Sequence, residues 1–576
     1  MSTLPPASPA SPGPAGLRSL LRQPAMLLGL ALALLYAVLA VLAGKHGYSP
    51  VPFWDMWDGT LGFYLRQQSD LSAWWAQHNE HRIILARLLF FIDLKYFGGH
   101  AVFLLIVNYA LALITFGLLA WCALRILPTA TSAMRIVAAV ILSLALLWTQ
   151  ENNLTWGFQS QFFLAQLLPL ASLLLLWRSS VAPRCRNAWF GAALLLAVVA
   201  AGSMANGVLA TWLLLAGCIL GRQGTKRIVL VAVVALGVTA LYFHGYVSPG
   251  THGSLSSTLR DSPRGVMWFL FAYLGSPFAH LAGDDKPNLY VAVGCGAIVT
   301  ILALYLAGTT LLRKHRGVDL ELALSLFVGY LGTSAFAVAG SRIVFGLDSA
   351  VASRYTTPAL LVIACVMILG VARLCRRFSW ARGQAAAVLL VIPLVFLPLQ
   401  WNAVKHNPLA DFEKTTAAMA LEMGARDDEQ ILWTYPDSPR ALEIARDAST
   451  QDLSIFASTW LKGARESMGQ RYGQAPVQGC GVVPPVTRAL PGSGGWSRLQ
   501  GGLVDTYLGE GLGALYLLDA QGTIIGRGIL AAPERQQGSD KVGSPFKLYV
   551  RDDTLHAGPM KVVVPGICSG DFNYSP

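Results

Sequence analysis

The feature that most constrains this chain is a series of long apolar runs that recurs from Met26 to Trp401 and then stops. A helix needs roughly 20 apolar residues to cross the hydrocarbon core of a bilayer. Backbone groups find no water there, so such runs are expected to be helical. Hydrophobic residues make up 54% of the sequence and charged residues only 13%. The sequence therefore predicts an α-helical polytopic membrane protein.

The runs predict a multi-span transmembrane domain over residues 25–402 with about eleven helices. The predicted spans lie near residues 26–44, 101–125, 134–150, 158–177, 189–203, 206–221, 228–246, 289–312, 320–338, 357–374 and 383–401. The segment from Val266 to His280 contains Gly275 and Pro277 and is read as re-entrant or interfacial. Residues 1–24, rich in Pro, Ser and Ala, are expected to be a disordered cytoplasmic N-terminus ahead of an uncleaved first helix.

Basic residues are concentrated in alternate loops, which fixes the expected orientation. These residues are Arg178, Arg184, Arg186, Arg222, Lys226, Arg227, Arg313, Lys314, Arg316, Arg373, Arg376, Arg377 and Arg382. By the positive-inside rule these loops and the N-terminus are cytoplasmic. The net charge of +12 then reflects orientation in the membrane, and no nucleic-acid partner is expected. The long loop 45–100 and everything after Trp401 should face the periplasm of a bacterial inner membrane.

Residues 403–576 predict a soluble extracytoplasmic domain, α+β or β-sandwich-like. Its charged first part should be helical to about Gly463, and short apolar or alternating runs then predict strands. These runs are Val482–Val483, Leu515–Leu518, Thr523–Leu530, Phe546–Val550 and Met560–Val564, with a hairpin turn at Asp519–Gly522. Cys480 and Cys568 lie in this domain, where an oxidising compartment allows a disulfide. Two free thiols are the alternative.

The long first external loop carries the first candidate site. Asp55 and Asp58 are three residues apart, a spacing that puts both carboxylates on one face of a helix or turn. Such a pair suits a general base or a divalent-cation site. Glu80 adds a third carboxylate further along the loop. Solvated polar neighbours of an interfacial aromatic belt are the structural alternative.

Further along the same loop, His78, His81 and Arg82 are candidates for substrate binding or acid/base chemistry, with His78 and His81 one helical turn apart. Zinc binding by both histidines and Glu80 is a weaker reading, because the spacing is not that of a zinc-protease helix. In the next external loop, Glu151, Asn152, Trp156 and Gln159 combine polar groups with an aromatic ring, as sugar binding requires. A helix cap with an interfacial tryptophan is the alternative there.

Two more external loops interrupt the apolar runs. Arg342 and Arg354, followed by Tyr355, lie on the side where the positive-inside rule gives no reason for arginines, which favours an anion such as a lipid phosphate. Salt bridges to Asp348 or to the first-loop aspartates are the alternative. Residues 203–207 are expected to form a tight turn with a purely structural role.

Taken together, these blocks resemble the GT-C superfamily of polytopic glycosyltransferases, which take a sugar from a polyprenyl-phosphate carrier. The resemblance implies inverting transfer to an envelope glycan or lipid acceptor, with Asp55 or Asp58 as the base. Arg342, Arg354, and His81 or Arg82 would stabilise the departing phosphate. That family usually shows two acidic residues adjacent or nearly so, whereas Met56 and Trp57 separate them here. A divalent cation, Mg or Mn, at Asp55 and Asp58 is compatible with the resemblance and not required by it.

Three other functions fit a chain of this kind. A flippase or transporter for lipid-linked sugars should carry charges inside its helices, and these spans are almost free of charge. A polysaccharide polymerase or ligase would use the same substrates on the same side of the membrane. A non-catalytic envelope-assembly protein would use the C-terminal domain as its binding module.

Overall fold

The computed structural model describes residues 23–248, 253, 255–281, 287–378, 383–405, 408–473, 479–504, 513–532, 534–535 and 542–575. The expected disordered N-terminus therefore lies outside the described residues up to residue 22, as does Arg382. Helices dominate up to Ser449, and strands follow from Gly481.

Twenty α-helices cover the first part of the described chain. They are α1 Pro24–His46, α2 Phe63–Gln67, α3 Ile84–Tyr96, α4 Val102–Ile126, α5 Thr131–Leu144, α6 Glu151–Thr155, α7 Ser160–Val181, α8 Arg186–Ala200, α9 Leu209–Leu220, α10 Thr225–Phe243, α11 Leu255–Asp261, α12 Pro263–Leu274, α13 Leu289–Leu311, α14 Leu320–Arg342, α15 Thr356–Arg377, α16 Gln384–Val388, α17 Val391–Asn402, α18 Pro408–Met423, α19 Asp428–Ile431 and α20 Ser438–Ser449.

Seven of the described helices are long and apolar enough to cross a membrane, or eight if a bent pair counts as one span. The seven correspond to α1, α4, α7, α10, α13, α14 and α15, and the bent pair joins Pro128–Leu144 to Trp148–Thr155. The protein is therefore a multi-pass membrane protein, but with fewer such helices than the expected eleven.

The difference lies in three expected spans, near residues 189–203, 206–221 and 383–401. They fall on α8, α9 and the pair α16–α17, where no helix exceeds 15 residues by the assigned bounds. At about 1.5 Å per residue such a helix is only about 22 Å long, short of the roughly 30 Å hydrocarbon core. The sequence located these helices to within a few residues, and the count was too high because runs this short were taken as complete spans.

The helices run between two ends of the bundle that differ in chemistry. The basic end collects the loops after α7, α9, α13 and α15, where Arg376 pairs with Glu321 and Gln223 donates to Ser180. The opposite end, called the cavity end below, carries the first loop 45–100, the start of α7, the end of α14 and the start of α15. The C-terminal part of the chain lies at this cavity end.

The C-terminal domain begins with helices α18 to α20 and ends with a curled antiparallel sheet. Its strands are β1 Gly481–Ala489, β2 Trp496–Val504, β3 Gly513–Leu518, β4 Ile524–Leu530, β5 Glu534–Arg535, β6 Val542–Arg551, β7 Gly558–Val564 and β8 Cys568–Tyr574. The strand order is β1-β2-β6-β4-β3-β7-β8, with the short β5 pairing beside β6. All five predicted strand segments and the Asp519–Gly522 hairpin turn are confirmed, whereas β2, the short β5 and β8 escaped prediction.

The sheet closes on itself rather than splitting into the two layers of a sandwich. Its first and last strands meet where the Cys480 amide donates to the Ser569 carbonyl at 3.0 Å. A disulfide joins Cys480 to Cys568 at the same place. Leu499, Leu515 and Leu548 are among the residues that fill the interior. Closure leaves few free strand edges, a common solution for sheets built from antiparallel strands, although the closing bridge between Gly479 and Ser569 is parallel.

Candidate functional site

A cavity of about 710 Å³ opens at the cavity end of the bundle. Its wall includes ten of the thirteen residues that the sequence analysis selected for catalysis or binding. They are Asp55, His78, Glu80, His81, Asn152, Trp156, Gln159, Arg342, Arg354 and Tyr355. The first loop supplies four of these residues, and the ends of helices supply the others.

The first-loop histidines lie on a tight turn, and not on the helix that their spacing suggested. The His78 and His81 amides each donate to the other residue's carbonyl, at 2.8 and 2.9 Å. Asn79 adopts a positive φ of 49°, which asparagine tolerates better than most residues. The turn directs Glu80 to Arg342, whose Nη2 donates to Oε1 at 2.7 Å. Arg342 is therefore paired, with a partner other than the aspartates considered from the sequence.

His81 is held neutral. Its pKa is lowered to about 4, chiefly by burial, with the positive charge of Arg342 acting in the same direction. The amide of Ala205 donates to its Nδ1 at 3.3 Å, so the hydrogen of the neutral ring resides on Nε2. His81 can therefore donate a hydrogen bond at neutral pH without carrying a charge.

Asp55 and Arg354 are the cavity's least compensated charges. Asp55 lies 3.7 Å from Nε2 of His78, and its side chain is 35% exposed. Arg354 stacks over Tyr355 at 5.1 Å and has no carboxylate partner among the described residues. Tyr355 is in turn buried and stacked on Tyr273 at 4.9 Å. The wall thus offers a carboxylate and a guanidinium that a ligand can engage.

Carboxamides make up much of the remaining wall. Gln159, Gln161, Gln166 and Asn206 each have a buried carbonyl oxygen with no hydrogen-bond partner among the described residues. Leaving a buried polar atom unpaired costs about 1–3 kcal/mol. Four such atoms around one cavity indicate a wall built for a polar occupant.

Three predicted site residues lie elsewhere. Arg82 is 5% exposed and donates to the backbone carbonyls of Trp75, Tyr242 and His244, so it ties the first loop to α10. Asp58 accepts hydrogen bonds from Arg440 and Tyr435 of the C-terminal domain. Glu151 is an exposed residue at the start of α6 and is absent from the cavity wall.

A divalent cation does not fit the expected pair. The two oxygens of Asp58 are bound by Arg440 and Tyr435, which leaves Asp55 alone. Among the described residues no group of three His, Cys, Asp or Glu side chains is close enough to hold a metal ion.

Several wall residues were missed from the sequence. Gln161 and Gln166 interrupt the apolar run of α7, and Ser334 interrupts that of α14. Asn206, read as part of a structural turn, lines the cavity and donates to Ser334 at 3.3 Å. Uncharged amides inside predicted spans were the available signal, since polar groups in membrane helices tend to be functional.

Comparison of the chain with family models, with curated proteins and with solved structures returns no match. The fold itself defines a multi-pass membrane protein with a barrel-like domain at one end of its helical bundle.

Proposed function

We propose that this protein is a membrane glycosyltransferase of GT-C type that moves a sugar from a polyprenyl-phosphate carrier to an envelope glycan or lipid acceptor. The observation that carries the proposal is the cavity shared by Asp55, a carboxylate, and Arg354, a guanidinium without a carboxylate partner among the described residues. The carboxylate of Asp55 suits proton removal from an acceptor hydroxyl, and the guanidinium of Arg354 suits binding of a leaving phosphate.

The depth of the cavity favours a donor delivered from the membrane. Gln166 lies six residues beyond the start of α7, about 9 Å along the helix axis. An acyl or prenyl chain alone would need no carboxamides at that depth, whereas sugar hydroxyls both donate and accept hydrogen bonds. Trp156 and Phe158 add aromatic rings to the same wall, which suits the apolar face of a sugar ring.

The proposed reaction uses these residues as follows. Asp55 accepts the proton of the acceptor hydroxyl while its oxygen attacks the anomeric carbon of the donor sugar. The bond from that carbon to the phosphate oxygen breaks, and the phosphate leaves with the electron pair. Arg354 stabilises the negative charge that develops on the leaving phosphate. His81 donates a hydrogen bond to it from a neutral imidazole ring. Contacts of this kind gain strength in a partly dehydrated site.

The orientation of the protein supports an external reaction. The basic end should face the cytoplasm by the positive-inside rule. The N-terminus is then cytoplasmic, and the cavity and C-terminal domain face the periplasm of a bacterial inner membrane. Nucleotide sugars are not available there, so a lipid-linked donor is required.

Mass spectrometry of surface glycans and polyprenyl-phosphate sugars tests the proposal in a deletion strain complemented with wild type, Asp55→Asn or Asp70→Asn. Asp70 is a matched control because it lies in the same loop, exposed, and caps a short helix at Ser72. Deletion and Asp55→Asn should both remove one glycan sugar and accumulate its lipid-linked donor. Asp70→Asn should restore the glycan.

Full restoration by Asp55→Asn at normal expression would contradict the proposed base and favour a transporter or a scaffold. Accumulation of whole polymer chains on the lipid would favour a polymerase or ligase instead.

A further inference from the structure

We infer that the C-terminal domain positions Asp55 through a clamp on the first loop, formed by Asp58, Tyr435 and Arg440 together with the backbone contact between Trp54 and Thr434. The contacts that form the clamp are present in the structure. Its effect on chemistry rests on the proposed function, in which Asp55 is the base.

The residue before Asp55 is held in an unfavourable conformation. Trp54 has φ +47°, in the left-handed region that bulky residues rarely adopt. Its amide donates to the carbonyl of Thr434 at 2.7 Å. Strained backbone of this kind persists only where surrounding contacts enforce it. The C-terminal domain supplies that contact directly beside Asp55.

The residue three positions after Asp55 is held by the same domain. Nε of Arg440 donates to Oδ1 of Asp58 at 2.8 Å, and the hydroxyl of Tyr435 donates to Oδ2. Burial and the Asp58 contact raise the pKa of Tyr435, so its hydroxyl stays protonated and keeps donating. Arg440 is itself oriented by Glu443 at 2.7 Å. Both carboxylate oxygens of Asp58 thus have fixed partners.

Apolar packing adds to the clamp. The segment from Trp57 to Gly62 forms a π-helical turn, a geometry common at functional sites. Trp57 is fully buried and packs edge-on against Phe456 of the C-terminal domain, with ring centroids 6.4 Å apart. On the cavity side, a Cβ built on Gly59 would lie 2.5 Å from Phe158. The turn is therefore enclosed between the C-terminal domain and the cavity wall.

The Asp55 backbone is fixed within this enclosure, since its carbonyl accepts from the Gly59 amide at 2.7 Å. Arg354 belongs to the loop before α15, a segment separate from the first loop and from the clamp residues. Breaking the clamp should displace the base while leaving the anion-binding residue in place. Turnover should then fall while the KM for the donor stays nearly unchanged.

The test uses the full chain in lipid nanodiscs with Arg440→Asp, which places a carboxylate against Asp58. Arg446→Asp is the matched control, because Arg446 lies on the same helix and pairs with Asp447, away from the first loop. The double variant Asp58→Arg with Arg440→Asp reverses the pair and should restore it. Hydrogen exchange over residues 53–62 reports the clamp, and kcat and KM with a polyprenyl-phosphate sugar report its consequence.

Arg440→Asp should raise exchange at residues 53–62 about tenfold or more, leave exchange in the barrel strands unchanged and lower kcat at constant KM. The double variant should recover both quantities, and Arg446→Asp should resemble wild type. Unchanged exchange in Arg440→Asp would overturn the inference, as would parallel loss of protection throughout the barrel. If wild type transfers no sugar, the proposed function fails, whereas faster exchange at residues 53–62 would still support the clamp.

Discussion

The interface between the first loop and the C-terminal domain and the wall of the cavity use the same kinds of side chain. In the interface, Asp58 is bound by Arg440 and Tyr435. On the cavity wall only a few residues away, the one ion-pair partner of Asp55 among the described residues is His78, and Arg354 has no carboxylate partner there. The difference separates side chains that hold the fold from those available to a ligand.

Among the side chains with fixed partners, the strongest test concerns Arg498, which is completely buried inside the C-terminal domain. Its Nη1 lies 2.5 Å from Oδ2 of Asp427, and Tyr549 donates to the same oxygen at 2.9 Å. Arg498→Met leaves the buried Asp427 carboxylate without its cation, which should destabilise the protein by about 3–5 kcal/mol. Thermal unfolding of the detergent-solubilised chain measures the loss.

Lys462→Met is the control for that experiment. Lys462 pairs with Asp452 on the surface, and exposed pairs contribute about 0–1 kcal/mol. Equal losses in the two variants would show that the Arg498 network does not support the domain.

Substitution of a charged residue in the cavity wall should lower activity and leave stability unchanged. Arg354→Gln removes a charge that has no carboxylate to leave behind, so thermal stability should hold while turnover falls about 10²-fold or more. Arg82→Gln provides the contrast, because Arg82 donates to three backbone carbonyls and stabilises the first loop. Purified protein, assayed for unfolding and for transfer, distinguishes the two arginines. Loss of stability in Arg354→Gln would place it with the structural residues.

Stability should also depend on pH through Asp93 of α3. Burial raises its pKa to about 6, and its Oδ1 has no partner among the described residues. The folded protein then binds this proton more tightly than the unfolded chain, whose aspartate titrates near 3.9. The stabilising contribution is complete below pH 4 and is lost as pH rises through about 6.

Asp93→Asn should therefore stabilise the protein at pH 7.5 by up to about 3 kcal/mol, and the gain should vanish near pH 4. Unfolding curves of both proteins across this pH range measure the difference. Asp70→Asn, at an exposed position of the same loop, should show no gain at pH 7.5. A gain for Asp93→Asn that is independent of pH would contradict titration as its cause.

The sequence predicted the class of fold because apolar length and turn chemistry are local properties. Seven expected spans lie on long apolar helices, and five strand segments lie on strands. The runs on α8 and α9 were located correctly, but runs this short were wrongly counted as complete spans. Strand β2 also escaped notice, because it carries Arg498, whose burial requires partners more than sixty residues away.

Within the site, residue type predicted which side chains are polar and external but not which face they share. Asp55 and Asp58 look equivalent in the sequence, yet only one lines the cavity, because α20 binds the other. Arg82 and Arg354 also differ in this way, because Arg354 lines the cavity and Arg82 binds backbone carbonyls outside it. Such distinctions depend on contacts between distant segments, which the spacing of residues along the chain does not contain.

The smallest expected effect concerns Gln166. It compares one unpaired amide oxygen in the cavity wall with a paired one elsewhere in the bundle. Its carbonyl oxygen is buried in the cavity wall without a partner among the described residues. Gln166→Met preserves size and removes the unpaired oxygen, so the ligand-free protein should gain up to about 1 kcal/mol while the KM for the donor rises. Gln400→Met is the matched control, because Gln400 accepts from the Trp148 amide and donates to the carbonyls of Tyr36 and Leu146.

Gln400→Met should lose about 1–3 kcal/mol, since those partners would remain buried and unpaired. The two substitutions are chemically identical, and both residues are almost fully buried. Stability changes of opposite sign in the two variants would mean that the polar cavity wall lowers the stability of the ligand-free protein and serves to bind a polar ligand. Equal destabilisation would mean that Gln166 is satisfied in the resting protein, and the distinction between cavity and interface would then fail at this residue.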